Sequence, residues 1–295
     1  MILESNNIDQ LSQLALNAAR KAALYIQSQV HTNHQINLKE GIENLATQVV
    51  TAIDVESQRL ILDQLEPSLQ EFDLGLLTEE SPDDGSRFTK DYFWCVDPLD
   101  GTLPFTEQQP GYAVSIALIS RAGEPIIGVV IDPYHDVEWL AIKGRGVHRN
   151  SKPFKIVSES DVLICRMERS FLNSSYYDLS LQALDRISRD LGFKGFEIRT
   201  GYGAVMNALS LLETGGCFFK FPKLKKGGGC TWDYAATHLI YQELGFQASD
   251  IYGQSLALNN RESLYMNQRG VIYGTDANLV QRIISLYQTS SGKAS

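Results

Sequence analysis

The feature that most constrains this chain is a short apolar run, Phe93-Trp94-Cys95-Val96, that ends abruptly in Asp97-Pro98-Leu99-Asp100-Gly101-Thr102. The run predicts a buried strand. Two acids around a proline are expected to stop it, because proline cannot continue a central strand. Pro98 fixes its own φ and biases Asp97 toward extended backbone. Both acids can then turn to one side, just past the strand's carboxyl end. Gly101 allows close backbone approach to a ligand, and the amides around Gly101 and Thr102 can face an anion. Carboxylates beside anion-binding amides make chemical sense if a hard cation sits on the acids and a phosphate bridges cation and amides. A lone Asp-Gly would be a polar turn; the six-residue string after an apolar strand is far more specific.

The remaining sequence narrows the class. At 295 residues the chain can bury a full core, in one large domain or two smaller ones. Its 43% hydrophobic and 21% charged residues suit a globular protein, and its net charge of −9 argues against general nucleic-acid binding. A small phosphate ligand stays compatible with that charge when a metal supplies local positive charge. No apolar run spans a bilayer, and Met1-Ile2-Leu3-Glu4-Ser5 lacks signal-peptide character. Cys95, Cys165, Cys217 and Cys230 show no close-spaced pair, which suits a reducing cytoplasm better than a disulfide framework or a Cys-only zinc site.

Taken in order, Ser5 or Asn6 is expected to cap a first helix with Ile8, Leu11, Ala15, Ala18, Ala22 and Tyr25 on one face. His31 and His34 fall in a polar break, and Lys39-Glu40-Gly41 reads as a turn. A second helix is expected over 47–65, closed by Pro67, with Asp54 near its buried side. Leu74-Gly75-Leu76-Leu77 reads as a strand running into Thr78-Glu79-Glu80, which makes Glu79 a third candidate ligand beside Asp97 and Asp100. Strands over 112–120, 126–131 and 137–142, then Gly146-Val147, form a meander, with a boundary at Asn150-Ser151-Lys152-Pro153. Strands over 162–166, 196–199, 217–221 and 271–273, and helices over 181–191, 204–212 and from Asp233, make up the rest. Asp276 caps a last helix through Tyr287, and the tail from Thr289 reads as disordered. Asp233, in Trp232-Asp233-Tyr234-Ala235-Ala236, suits a helix cap and can also share a metal. Pro222 to Gly229 is a basic, Gly-rich loop in an acidic protein.

The succession Glu79-Glu80, then Asp97-Pro98-Leu99-Asp100-Gly101-Thr102, then Trp232-Asp233-Tyr234-Ala235-Ala236 resembles the inositol monophosphatase family of metal-dependent phosphatases. Val50-Thr51-Ala52-Ile53-Asp54 is similar to that family's Val-Thr-x-x-Asp segment. The likeness covers nearly the whole chain. It implies an α/β fold, an αβαβα sandwich with two mixed sheets between helical layers and the site between two α+β halves, residues 1–151 and 152–295. It implies metal ligands Glu79, Asp97, the Leu99 carbonyl, Asp100 and Asp233, holding about two to three Mg²⁺ ions. Glu79 and Thr102 would orient the attacking water, and Asp54 would orient Thr102. Amides at Gly101 and Thr102 would hold the phosphoryl oxygens. The expected protein is a cytoplasmic phosphate monoesterase acting on a small phosphorylated metabolite. Homodimerisation is common in the family, though no stretch here shows it.

The substrate divides the readings. The glutamate that inositol monophosphatases use to hold a sugar hydroxyl aligns with Lys220, and Phe218-Phe219-Lys220-Phe221-Pro222 looks more like a bisphosphate nucleotidase segment. A cation there suits a second phosphate, with Lys223 or Lys225 assisting. The leading expectation is therefore a 3′(2′),5′-bisphosphate nucleotide such as 3′-phosphoadenosine 5′-phosphate, with inositol 1-phosphate or a sugar phosphate as the alternative. Against the nucleotide reading, Leu103-Pro104 follows Asp-Gly-Thr where many bisphosphate nucleotidases carry a lysine, and Thr78 replaces the family's usual glycine before the glutamate pair. A non-catalytic phosphate-binding protein is a third reading, disfavoured because no acid of the set is missing.

Overall fold

The computed structural model of the chain describes residues 3–30, 36–38, 49–156, 160–223 and 227–291. His31, His34, the Lys39-Glu40-Gly41 turn, Lys225, Lys226 and residues 292–295 lie outside them. Helix α1 (Ser5–Gln29) precedes a hairpin of β1 (Ile36–Leu38) and β2 (Val49–Thr51), which leads into α2 (Ala52–Glu71). Next come β3 (Gly75–Thr78), β4 (Tyr92–Asp100), the short helix α3 (Thr102–Thr106), β5 (Ala113–Ser120), β6 (Pro125–Asp132), β7 (Val137–Ile142), β8 (Val147–Arg149) and β9 (Lys152–Pro153). Strands β3 to β9 form a seven-stranded sheet in chain order, parallel between β3 and β4 and antiparallel thereafter.

The chain continues through β10 (Leu163–Arg166), α4 (Tyr177–Asp190), β11 (Phe196–Arg199), α5 (Ala204–Leu209), α6 (Leu211–Thr214), β12 (Cys217–Lys220), α7 (Thr231–Glu243), β13 (Gln247–Ser249), β14 (Val271–Gly274) and α8 (Ala277–Ser291). These strands form a second sheet in the order β11-β10-β12-β14-β13, parallel across β11, β10 and β12.

Alternation along β4 shows why its apolar run is continuous. Trp94 and Val96 face α1 and α2, where Leu11, Ala15, Ala18, Ala22 and Ile26 pack closely. Phe93 and Cys95 face α5, α7 and the second sheet. A strand covered on both faces has no polar side to display. The outer face of the second sheet is covered by α4 and α8 through Leu184, Ile187, Val280 and Ile283. The result is helices, sheet, helices, sheet, helices, as the expected α/β sandwich requires. No described helix is long and apolar enough to cross a membrane, and all four cysteines are free and buried.

Several local expectations are corrected. Strand β4 does not stop at Val96 but runs through Pro98 to Asp100, and the register with β5 shifts between Asp97 and Asp100. That bulge accommodates a proline inside a central strand by breaking the ladder where its missing N–H would have donated. Pro67 lies within α2 rather than closing it, and the chain is strand, not helix, over Val49–Thr51. Glu4 rather than Ser5 or Asn6 caps α1. The expected helix over 204–212 is split at Ser210, and β13 is a strand that the residue pattern does not announce. Asp276 does cap the last helix, accepting the Leu279 N–H at 2.7 Å, and that helix runs on to Ser291.

Candidate active site

Four acids converge because β3 and β4 end, and α5 and α7 begin, at one place. Strands β3 and β4 are parallel neighbours, with Thr78 paired to Val96, so the residues that follow them emerge side by side. The Glu79 N–H donates to the Val96 carbonyl at 3.2 Å, which seats Glu79 beside Asp97. Asp97 is fully buried. Its Oδ1 accepts the Leu99 N–H at 3.1 Å across the proline. Its Oδ2 is buried with no hydrogen-bond partner.

Asp100 is held from the far side of the crevice. Its carboxylate accepts the N–H groups of Ala204 at 3.1 Å and Val205 at 2.9 Å, the first amides of α5. Gly203 permits this approach: a Cβ there would overlap Asp100 Oδ2 and stand 2.8 Å from Gly101 Cα. Asp233 arrives on α7. It is not the N-cap, which is Cys230; it occupies the third helical position and takes the Cys230 N–H on its Oδ2. Helix α7 lies tight on the large sheet because Gly128 of β6 has no side chain, and a Cβ there would sit 2.8 Å from the Ala236 carbonyl. Ser115 Oγ of β5 donates to the Trp232 carbonyl at 3.2 Å and pins the helix start.

One carboxylate oxygen each from Asp97, Asp100 and Asp233 lies within 4.8 Å of the others. Burial raises the pKa of Asp97 well above the carboxylate range, and the charges of Glu79, Asp233 and Asp100 raise it further. Burial and Asp233 raise Asp100, against the two amides that favour its charge. Burial also raises Asp233. Such a set cannot be fully ionised without compensation. An all-oxygen donor set of like charge, with a buried oxygen that nothing satisfies, is the chemistry of a hard divalent cation site, and Mg²⁺ fits it. Asp97, Asp100 and Asp233 would hold it, with Glu79 alongside.

The other expected residues fall nearby. Gly101, at φ +83°, caps α3, and the Thr102 hydroxyl is 3.4 Å from the Leu99 carbonyl. Asp54 is buried in the first turn of α2, and β2, which feeds that turn, lies against α3.

Lys220 differs from expectation. Its Nζ is 2.5 Å from Glu168 Oε1 and from the Gly228 carbonyl, and 3.2 Å from the Tyr234 hydroxyl. Its side chain is only 7% exposed. The ammonium is thus committed to the fold: it neutralises Glu168 and ties the Gly-rich loop to α7. Burial opposes ionisation of Glu168, but the charge and hydrogen bond of Lys220 outweigh it and hold the carboxyl below its ordinary value. Receiving a second phosphate would mean displacing Glu168. Sequence reasoning missed Glu168, Tyr202, Gly203 and Tyr234. The one available signal was that a lysine amid phenylalanines requires a counter-ion.

Comparison with known proteins follows this geometry. The inositol monophosphatase family model matches residues 7–291. An inositol-1-monophosphatase of Bacillus subtilis is 29% identical over 265 residues, covering 88% of this chain and 92% of that protein. A fructose-1,6-bisphosphatase/inositol-1-monophosphatase of Thermotoga maritima is 25% identical over 80% of this chain and 84% of its own length. A solved Thermotoga maritima IMPase superposes with a TM-score of 0.73 at 20% identity, over 97% of this chain and 100% of that one.

Proposed function

Because the chain belongs to the inositol monophosphatase family, a family of Mg²⁺-dependent phosphomonoesterases, we propose that it releases phosphate from an inositol or sugar phosphate. The observation that carries this reading is the buried Asp97–Asp100–Asp233 cluster with its unsatisfied Asp97 Oδ2. When bound there, divalent cations would neutralise the acids and stabilise charge on the transferring phosphoryl oxygens. The residues of the chain do the rest. Glu79, half-buried next to Asp97, and the Thr102 hydroxyl orient the attacking water, and Asp54 orients Thr102. The amides of Gly101 and Thr102 bind phosphoryl oxygens. Asp100 stays in place because α5 donates two amides to it.

Two findings favour the polyol or sugar ester over a bisphosphate nucleotide. Lys220, on which the nucleotide reading rests, already pairs with Glu168. The curated relatives above are named for inositol and fructose phosphates. The test is phosphate release with Mg²⁺ from myo-inositol 1-phosphate, fructose 1,6-bisphosphate and 3′-phosphoadenosine 5′-phosphate. Turnover of the first or second above the third is expected. Turnover of the nucleotide alone would restore the other reading.

A further inference from the structure

The carboxyl edge of the second sheet presents Arg199, Arg166 and Lys220 from its three parallel strands. Two of these cations are spent. Lys220 holds Glu168, and Arg199 holds Glu197 through two hydrogen bonds of 2.9 Å. Arg166, whose Cα is paired with that of Arg199, is different. It is 7% exposed, its Nε is buried without a hydrogen-bond partner, and among the described residues no acid forms an ion pair with it. Its guanidinium lies over the Tyr202 ring, 4.1 Å from the centroid. Burial disfavours its charge; Tyr202, electrostatically and through a hydrogen bond, favours it without neutralising it, Arg199 adds repulsion, and Glu197 contributes a weaker attraction. A buried guanidinium with no ion-paired acid costs stability, and charges perturbed in this way concentrate at functional sites.

Its place says which ligand. The Tyr202 side chain lies against Gly111, where any Cβ would overlap it. The Gly111 carbonyl accepts the Gly203 N–H at 2.7 Å, and a Cβ on Gly101 would stand 2.7 Å from that same carbonyl. One tyrosine ring therefore separates Arg166 from the Gly101 turn, and Gly203 is itself packed on Asp100. We propose that Arg166, backed by Tyr202, receives a second anionic group of the substrate, so that the preferred substrates are sugar or polyol phosphates that also carry a phosphate or a carboxylate; this rests on the phosphatase reading above. A planar guanidinium fixed by stacking presents its forked donors to a phosphate or carboxylate at little further entropic cost.

The test compares wild type with Arg166→Met, whose side chain still covers Tyr202, in kcat/KM for phosphate release with Mg²⁺. Fructose 1,6-bisphosphate carries a second phosphate, 6-phosphogluconate carries a carboxylate, and myo-inositol 1-phosphate carries neither. Losing a charge-assisted contact should cost about tenfold to a hundredfold on at least one of the first two. The arm that suffers identifies the anion. Activity on myo-inositol 1-phosphate should stay nearly unchanged, and Arg166→Lys should recover part of the loss. Equal effects on all three substrates, or none, overturn the assignment. The variant should also melt no lower than wild type, since a buried charge with no ion-paired acid has been removed; a clear fall in melting temperature shows a structural arginine and overturns it too. Absence of turnover by wild type on every substrate would instead remove the phosphatase reading, and this assignment with it.

Discussion

Asp97→Asn should make the metal-free protein more stable and the Mg²⁺-loaded protein less so. Asparagine keeps the Oδ1 that accepts the Leu99 N–H and replaces the unsatisfied Oδ2 with a donor facing two carboxylates. Charges at the 4.8 Å limit of the cluster repel by about 3.5 kcal/mol per pair at an effective dielectric of about 20. Asp97 takes part in two such pairs, but proton uptake relieves much of that repulsion, leaving about 2–3 kcal/mol to recover. For a chain of this size that is a rise of about 3–5 °C in melting temperature in a chelator. The pH dependence follows from the raised pKa values of Asp97, Asp100 and Asp233. A carboxylate raised in the folded state contributes its stability in full below the ordinary value of about 4, and loses it as pH rises through the raised value. Metal-free wild type should therefore lose stability from pH 5 toward pH 8 more steeply than the variant. With Mg²⁺ at about a hundred times its dissociation constant, wild type should gain about 2.7 kcal/mol, and the variant far less. Thermal melts in chelator and in Mg²⁺ at two pH values check all of this. A variant that melts lower than wild type in chelator would show that Asp97 is no electrostatic burden, and one that gains equally from Mg²⁺ would show that it is no ligand.

Other expectations test separate links. Gly203→Ala leaves an ordinary backbone, φ −63°, but forces a methyl against Asp100; a strain of about 1–3 kcal/mol should raise the Mg²⁺ concentration for half-maximal activity about tenfold or more with little change in fold by circular dichroism. Thr102→Ala should lower kcat at saturating Mg²⁺ while leaving the Mg²⁺ half-saturation point near wild type, since in the proposed mechanism the hydroxyl acts on water and not on the ion. Lys220→Met should destabilise the protein by about 3 kcal/mol in urea unfolding because Glu168 loses its counter-ion, and adding Glu168→Gln should recover most of it. Burial pushes the His238 imidazole down to about 4, so its contribution is full above about pH 6.5 and falls by about 3 kcal/mol as pH drops to 4; His238→Gln should flatten that limb of the stability profile.

What the sequence made legible follows from how local the cause is. Phe93–Val96 announced a strand buried on both faces, and the acids after it announced a cation site, because a few adjacent residues decide both. The path through Pro98 was not legible, because the bulge that admits a proline is set by the register with β5. Pro67 stays inside α2 because Ser68, Leu65 and Trp94 fasten that turn, with Trp94 Nε1 donating to Ser68 Oγ at 3.0 Å and Ser68 Oγ to the Leu65 carbonyl at 2.5 Å. Lys220 looked like an unspent cation because Glu168 stands 52 residues earlier in the chain. Arg166 reads as the end of a strand, since only the folded chain shows that Glu197 is ion-paired with Arg199 and that Arg166 has no ion-paired acid among the described residues. Asp97, Asp100 and Asp233 do lie together. What holds each one, α5 for Asp100 and the Gly128 gap for Asp233, is tertiary.

The central claim is that Asp97, Asp100 and Asp233 hold the catalytic cation. Crystals grown with Mn²⁺, which takes the same oxygen donors as Mg²⁺, test it directly by anomalous diffraction. An anomalous peak is expected at bonding distance from Asp97 Oδ2, with Asp100 and Asp233 oxygens completing the set, and its loss is expected in Asp233→Asn. A cluster without Mn²⁺ under conditions that support full activity, or a peak only elsewhere, would contradict it.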